Sequence, residues 1–292
     1  MAEAAAKRVT FFSKKETICP VCSTQFFRED LLTGRGRLIA GDLTRELRRV
    51  YEPSQKYGEV VPLIYPVVVC PGCYFSAYQQ DFLGISDATK SEIDEDSDRR
   101  VSSIRTVFDE LDFREPRTLN EGAASFYFAM TCYDFFPPEA APTIKQGVCA
   151  LRGAWLFKDL HRSDPTVNFD YLSNLFYRKA CFLYNLALEY EQSGHESLAQ
   201  MPNLGPDLDQ NYAYDGVLYL SSYLQLYHGP RGDVEKRKAR LEQSKTITAR
   251  LFGMGKASKQ KPSAILDKAR DLYQEIQDEL NEEDGAEDDE GA

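Results

Sequence analysis

Beyond about residue 100, apolar side chains recur at spacings of three and four, the period of an amphipathic helix. Val101, Ile104, Phe108 and Leu111 mark the first such face. Thr118-Leu119-Asn120-Glu121 has the capping-box pattern, so a second helix is predicted to start there and run to about Phe135, before Pro137-Pro138 stops it. A third is predicted from Pro142 to His161, with Ile144, Val148, Leu151 and Trp155 on one face. Asn168 is placed to cap a fourth, which reaches Gln192 and buries Leu172, Leu175, Phe176, Leu183, Leu186 and Tyr190. Asp207 or Asp209 opens a fifth, rich in Tyr and Leu, and Gly229-Pro230 ends it. A sixth spans about Asp233 to Phe252, and a seventh Ile265 to Leu280. Short breaks between long helices predict hairpins: 118–135 with 142–161, 168–192 with 207–228, and 233–252 with 263–280. Stacked hairpins make a solenoid. The spacing keeps no strict period of about 34 residues, so the expected body is tetratricopeptide-like rather than a regular array.

The N-terminal part has no such period. Residues 1–17 read as a lead-in, in which Phe11 and Phe12 add a short strand. Asp42 to Tyr51 is expected to form one or two helical turns or an irregular arm. Val60 to Val69 is apolar and β-branched but contains Pro62 and Pro66. Proline cannot donate to a sheet ladder, so an edge strand or extended arm is expected. Residues 83–98 read as an acidic linker and 99–280 as the helical domain. The stretch 281–292 has no apolar residue larger than Ala, and a disordered acidic tail is expected there.

Four cysteines add chemistry to the first of these parts. Cys19-Pro20-Val21-Cys22 and Cys70-Pro71-Gly72-Cys73 are two Cys-x-x-Cys hooks. Two residues between thiols let one turn aim both sulfurs at a single ion, and two such turns complete a tetrahedron. Residues 18–82 are therefore read as a four-cysteine, zinc ribbon-like domain with a long insert, holding a structural Zn²⁺. A rubredoxin-like iron site uses the same ligands and is the alternative metal; a redox dithiol, or no metal, is the remaining reading. Four thiolates fill a tetrahedral ion's shell, which leaves no open position for Lewis-acid catalysis. Cys70→Ser is expected to unfold this domain while leaving most helicity intact. Cys132, Cys149 and Cys181 sit in apolar-patterned segments and read as small core residues. His161, His195 and His228 fall at helix ends or in loops, with no legible Ser-His-Asp or Cys-His pattern.

Length and charge narrow the function. A chain of 292 residues suggests about two domains, and 17 Phe with 17 Tyr favour a folded one. Seven cysteines, four of them in hooks, fit a reducing compartment better than a disulfide framework. No membrane span and no secretory signal are expected. The net charge of −11 makes a poor general nucleic-acid binder, because phosphate contacts need clustered cations. Residues 1–80 nevertheless carry +3, against −14 for the rest. Arg35, Arg37, Arg45, Arg48 and Arg49 read either as a solvated face or as contacts to an anion, nucleic acid or acidic partner, and so do Lys256, Lys259 and Lys261. Trp155 and the Tyr-rich stretch 212–227 read as core; the sharper reading is that some of the Tyr line a concave peptide groove as aromatic anchors.

Taken together, the two hooks, Pro62-Leu63-Ile64-Tyr65, Asp81-Phe82, Ala154-Trp155-Leu156 and Lys256 to Tyr273 resemble a bacterial family, the domain of unknown function 2225. The resemblance covers most of residues 18–280 and implies a metal and a tetratricopeptide-like remainder, but no reaction. Family members usually carry Gly after each hook, where this chain has Ser23 and Tyr74. Tyr is costly at positive φ, so the second knuckle is expected to turn differently, through Gly72. The combined expectation is an α+β, cytoplasmic, non-enzymatic interaction scaffold or adaptor. Its alternative is a nucleic-acid-associated factor that uses the basic insert.

Overall fold

The computed structural model describes residues 8–252 and 263–290, with side chains through Glu282. Its N-terminal part is built from β-hairpins. Strand β1 (Thr10–Ile18) pairs antiparallel with β2 (Gln25–Leu31), and the register slips between Phe12 and Glu16. Strand β5 (Val67–Val69) pairs with β6 (Ser76–Tyr78), and both are fully buried. Between them β3 (Ile39–Leu43) pairs with β4 (Arg49–Glu52). Each pair is a two-stranded sheet of its own. The stretch Asp42 to Tyr51 is therefore a hairpin and not helical turns. In Val60 to Val69, Pro62 opens a short 3-10 turn (Pro62–Ile64), and only the all-Val end forms a strand.

Nine α-helices follow among the described residues. The short α1 (Gln79–Phe82) leads into α2 (Asp87–Glu95), which Ser86 caps by accepting from the Thr89 amide, and α3 (Ser97–Ile104). The acidic stretch 83–98 thus folds into helical turns, and Thr89 and Ile93 anchor it in the core. Helix α3 stops at Ile104, and Phe108 reaches the core from irregular chain beyond it. Helix α4 (Leu119–Cys132) starts at a complete capping box: Glu121 accepts from the Thr118 amide at 3.0 Å. Helices α5 (Pro142–Ser163), α6 (Phe169–Ser193), α7 (Ala213–His228), α8 (Val234–Phe252) and α9 (Ser263–Glu290) complete the chain.

Helix α7 starts later than the acids at 207 and 209 suggest, because Asp207 is drawn away as an acceptor for the insert. Helix α9 runs through most of the acidic stretch expected to be disordered. Once a helix is nucleated, each added residue gains a hydrogen bond at little further cost, and Glu and Ala are good helix formers.

Each helix from α4 to α9 packs on the next one in sequence, and α9 also returns to α7. Buried residues from Cys19 to Leu280 form one contiguous apolar core, so no polar seam divides the hairpins from the helices. Buried arginines reinforce this junction. Arg117 donates from Nη1 to the carbonyls of Ile64 (3.0 Å) and Val67 (2.9 Å). Arg152 donates to the Pro206 carbonyl (2.8 Å) and to Tyr78 Oη (3.3 Å).

Candidate functional site

The two hooks are the turns of two hairpins. Cys19–Thr24 joins β1 to β2, and Cys70–Phe75 joins β5 to β6. Both turns close in the same way. The Cys19 amide donates to the Thr24 carbonyl (2.9 Å) and the Ser23 amide to the Cys19 carbonyl (3.0 Å). In the second hook the Cys70 amide donates to Phe75 (2.9 Å) and the Tyr74 amide to Cys70 (3.0 Å). Ser23 and Tyr74 hold φ of 61° and 55°. The second knuckle thus turns like the first and does not route its turn through Gly72. A left-handed Tyr costs roughly 1–2 kcal/mol. Tyr74 offsets this by stacking near Phe128 (4.7 Å between centroids) and edge-on to Phe113 (5.8 Å).

Gly72 is needed for space instead. A Cβ there would overlap Thr24 Oγ1, the atom that accepts from Cys22 Sγ at 3.1 Å. Gly72→Ala should therefore push Thr24 off the first hook and speed metal loss to a chelator several-fold. Adding Thr24→Ala removes the clash but also the hydroxyl contact, so the double variant should release metal at the rate of Thr24→Ala alone. Equal release rates for wild type and Gly72→Ala would refute this account.

The four sulfurs lie within 4.8 Å of one another. Cys19 and Cys73 are 3.8 Å apart, and Cys22 and Cys70 are 3.5 Å apart. Thiolates bound at about 2.3 Å to a tetrahedral ion have S···S edges of about 3.8 Å, so the donor set fits a metal. The proton balance agrees. Hydrogen bonds from Cys19 and then Cys73 hold the Cys70 thiol down to about 2, helped by the Cys73 and Gly72 amides. Cys19 is pushed up to about 12, first by its hydrogen bond to Cys70. Cys73 is also raised, first by its bond to Cys19. Cys19 and Cys73 thus hold negative charge poorly without a cation, and a coordinated cation would remove their protons. Arg100 braces the second hook by donating to the Cys73 carbonyl from Nη2 (3.0 Å).

The insert between the hooks forms a second constellation. The tip of the β3–β4 hairpin, residues 44–48, enters a groove between α5, α6, α7 and α9. Glu46 accepts from the Trp155 indole N–H and from Tyr177 Oη (2.7 Å). Leu47 is fully buried. Arg48 pairs with Asp159 and lies over the Trp155 ring. Arg45 pairs with Glu275, accepts from Tyr219 Oη at its backbone carbonyl (2.7 Å) and lies over Tyr227. Arg49 donates from its amide to Asp207 (2.7 Å) and from Nε to Asp209 (2.9 Å).

Three of the five arginines considered as partner contacts, Arg45, Arg48 and Arg49, thus already have carboxylate partners within the chain. Arg37 donates to the Gly34 carbonyl (3.3 Å) and lies over Tyr57, while Arg35 is exposed in the same loop. Lys256, Lys259 and Lys261 lie outside the described residues. Sequence reasoning passed over Glu46 and Asp159, and nothing local marks either one. Trp155 and the tyrosines of α7 it did single out, and these line the groove.

The other candidates are dispersed. Cys132, Cys149 and Cys181 are buried, and burial raises their thiols to about 11, 12 and 11. His228 stacks on Tyr177 with centroids 4.1 Å apart, and burial lowers it to about 4. His195 meets Tyr190 edge-on, and His161 lies near the Val167 carbonyl. No histidine joins the cysteine cluster among the described residues.

Fold and site define a mixed α and β protein in which a four-cysteine, metal-capable centre is built into a helical body. The chain belongs to the family described as "Uncharacterized protein conserved in bacteria (DUF2225)", whose profile matches residues 12–276. It is 42% identical over 275 residues to an "Uncharacterized protein" of Borreliella burgdorferi (strain ATCC 35210 / DSM 4680 / CIP 102532 / B31), covering 94% of this chain and 98% of that one. No solved structure matches the chain significantly. No helix among the described residues is long and apolar enough to cross a membrane.

Proposed function

We propose that the protein is a non-enzymatic, cytoplasmic scaffold or adaptor, in which a structural zinc in a ribbon-like domain braces a tetratricopeptide-like helical body that binds another protein. The carrying observation is the four-sulfur cluster at the ends of two hairpins. Four thiolates fill a tetrahedral ion's shell, which suits a structural role and offers no site for water or substrate. Sequential packing of α4 to α9 supports the tetratricopeptide-like reading of the helical body. Zinc is favoured over iron because it takes this geometry without redox chemistry.

Elemental analysis of protein purified without added metal tests the reading. One equivalent of zinc per chain is expected. Stoichiometric iron with a thiolate-to-iron absorption band would replace the structural role with an electron-transfer one. Affinity capture from the bacterium, with metal-loaded and chelator-stripped bait compared, tests the scaffold half. A partner retained only by the loaded form is expected.

A further inference from the structure

The hairpin tip sits in its groove as a peptide ligand sits in a receptor. Its successive side chains are read by residues of four helices. Glu46 meets two neutral donors, Trp155 and Tyr177. Leu47 fills an apolar hole. Arg48 meets Asp159, and Arg45 meets Glu275 beneath two tyrosine rings. The groove thus offers a carboxylate to each cation and donors to the acid.

Three features distinguish this seat from ordinary core packing. The hairpin is a sheet of its own, unpaired with the other strands, and Ile39 and Val50 on its strands are exposed. An isolated two-stranded hairpin is marginally stable, so its conformation depends on the tip contacts. Leu47 holds φ 59°, a left-handed conformation that bulky side chains rarely keep unless their surroundings impose it. A cavity of about 680 Å³, lined by Glu46, Arg48, Trp155, Asp159, Arg162 and Tyr177, runs beside the tip and leaves room for a second segment to enter.

We propose that this groove is a recognition site for a protein segment of the pattern cation, acid, buried aliphatic, cation, and that the chain's own Arg45-Glu46-Leu47-Arg48 occupies it until such a segment displaces the hairpin. The occupant is a segment of another protein, since the groove's paired acids and donors complement that charge order. The proposal rests on the interaction reading above and names the site of that interaction. It also gives the long insert a purpose that metal binding does not: the insert guards the groove. Displacement needs no new chemistry, only an exchange of like contacts, so the competing segment gains by relieving the Leu47 backbone.

Trp155 is the one tryptophan of the chain, and it touches both Glu46 and Arg48, so its emission reports groove occupancy directly. The test uses the full-length triple variant Arg45→Ala/Glu46→Ala/Arg48→Ala, which keeps the hooks but removes the tip's ion pairs and its acid, and so weakens its hold on the seat. The probe is a cyclised synthetic peptide with the sequence of residues 39–52. Saturable quenching or a spectral shift is expected, with an apparent Kd at least tenfold tighter for the triple variant than for wild type, whose own tip competes. A control peptide with the acid replaced by Lys and the second Arg by Glu should not bind.

A folded triple variant, judged by far-ultraviolet circular dichroism, that shows no saturable change would overturn the proposal. An equal response to the control peptide would also overturn it. Should the triple variant fail to fold, Arg48→Ala alone should still bind more tightly than wild type, and equal affinity would count against the site. Light scattering on the wild type tests the rival occupant: a concentration-dependent dimer that the peptide dissociates would assign the groove to a second copy instead. Failure here with a partner still captured would leave the scaffold reading intact and move its interface elsewhere. Peptide binding without any captured partner would do the reverse.

Discussion

Cys70→Ser is expected to abolish metal retention and to lower the thermal midpoint of the whole chain, helices included. Structural zinc sites in small peptides carry apparent binding energies of about 10–16 kcal/mol, while net stability of a folded chain is about 5–15 kcal/mol. Loss of even a third of the metal's contribution is therefore large. The hooks are not an appendage whose collapse the helices ignore. Cys19, Cys70 and Cys73 belong to the same apolar core as α4 and α5, and Arg100 on α3 donates to the Cys73 carbonyl. If about 5 kcal/mol is transmitted, the midpoint at 222 nm should fall by roughly 10–20 °C. An unchanged midpoint in metal-free protein would show that the hairpins and helices are stable separately, as the sequence alone suggests.

Asp81→Ala is expected to cost about 3–5 kcal/mol, among the largest effects of any single substitution away from the cysteines. Asp81 follows β6 on α1 and pairs with Lys145 of α5 at 2.8 Å. Lys145 is 1% exposed, so removing its partner leaves an ammonium buried without a counter-charge. Tyr133 is tied to the same oxygen at 2.7 Å and in turn accepts from the Tyr78 amide at 3.0 Å. The pair therefore bolts the second hook's hairpin to α4 and α5. Combining Asp81→Ala with Lys145→Met should recover a good part of the loss, because an apolar pair of similar volume needs no desolvation. Urea midpoints of the two single variants and the double variant measure this. A double variant no better than Asp81→Ala would place the effect in the Tyr133 contact instead.

Both predictions concern contacts that sequence reading could not place. Asp81-Phe82 was visible as a motif, but Lys145 lies 64 positions away and nothing near it signals an acid partner. The same holds for Glu46 with Trp155, Arg48 with Asp159 and Arg117 with the carbonyls of Ile64 and Val67. The stretch Asp42 to Tyr51 shows the limit most clearly. Its charges at short spacing suggest helical turns or a loose arm, and helix propensity offers no objection. It becomes a hairpin because its tip finds carboxylates on α5 and α9 and hydrogen-bond donors on α5, α6 and α7, and a hairpin delivers a four-residue tip where a helix would not.

What the sequence by itself determined is what is local. A 3.6-residue apolar period, a capping box at Thr118 and Glu121, proline stops and two-residue spacings between thiols act within a few residues, so they specify the helices and both hooks directly. The left-handed turn at Tyr74 lay at the edge of that reach, because its neighbours Phe113 and Phe128 arrive from elsewhere in the chain. Only the tertiary structure decided that hairpins and helices have a single core, and that the basic insert is seated in the helical groove rather than presented to solvent. Those outcomes depend on charge and shape meeting across more than a hundred residues, and such pairings leave no periodic trace in the chain.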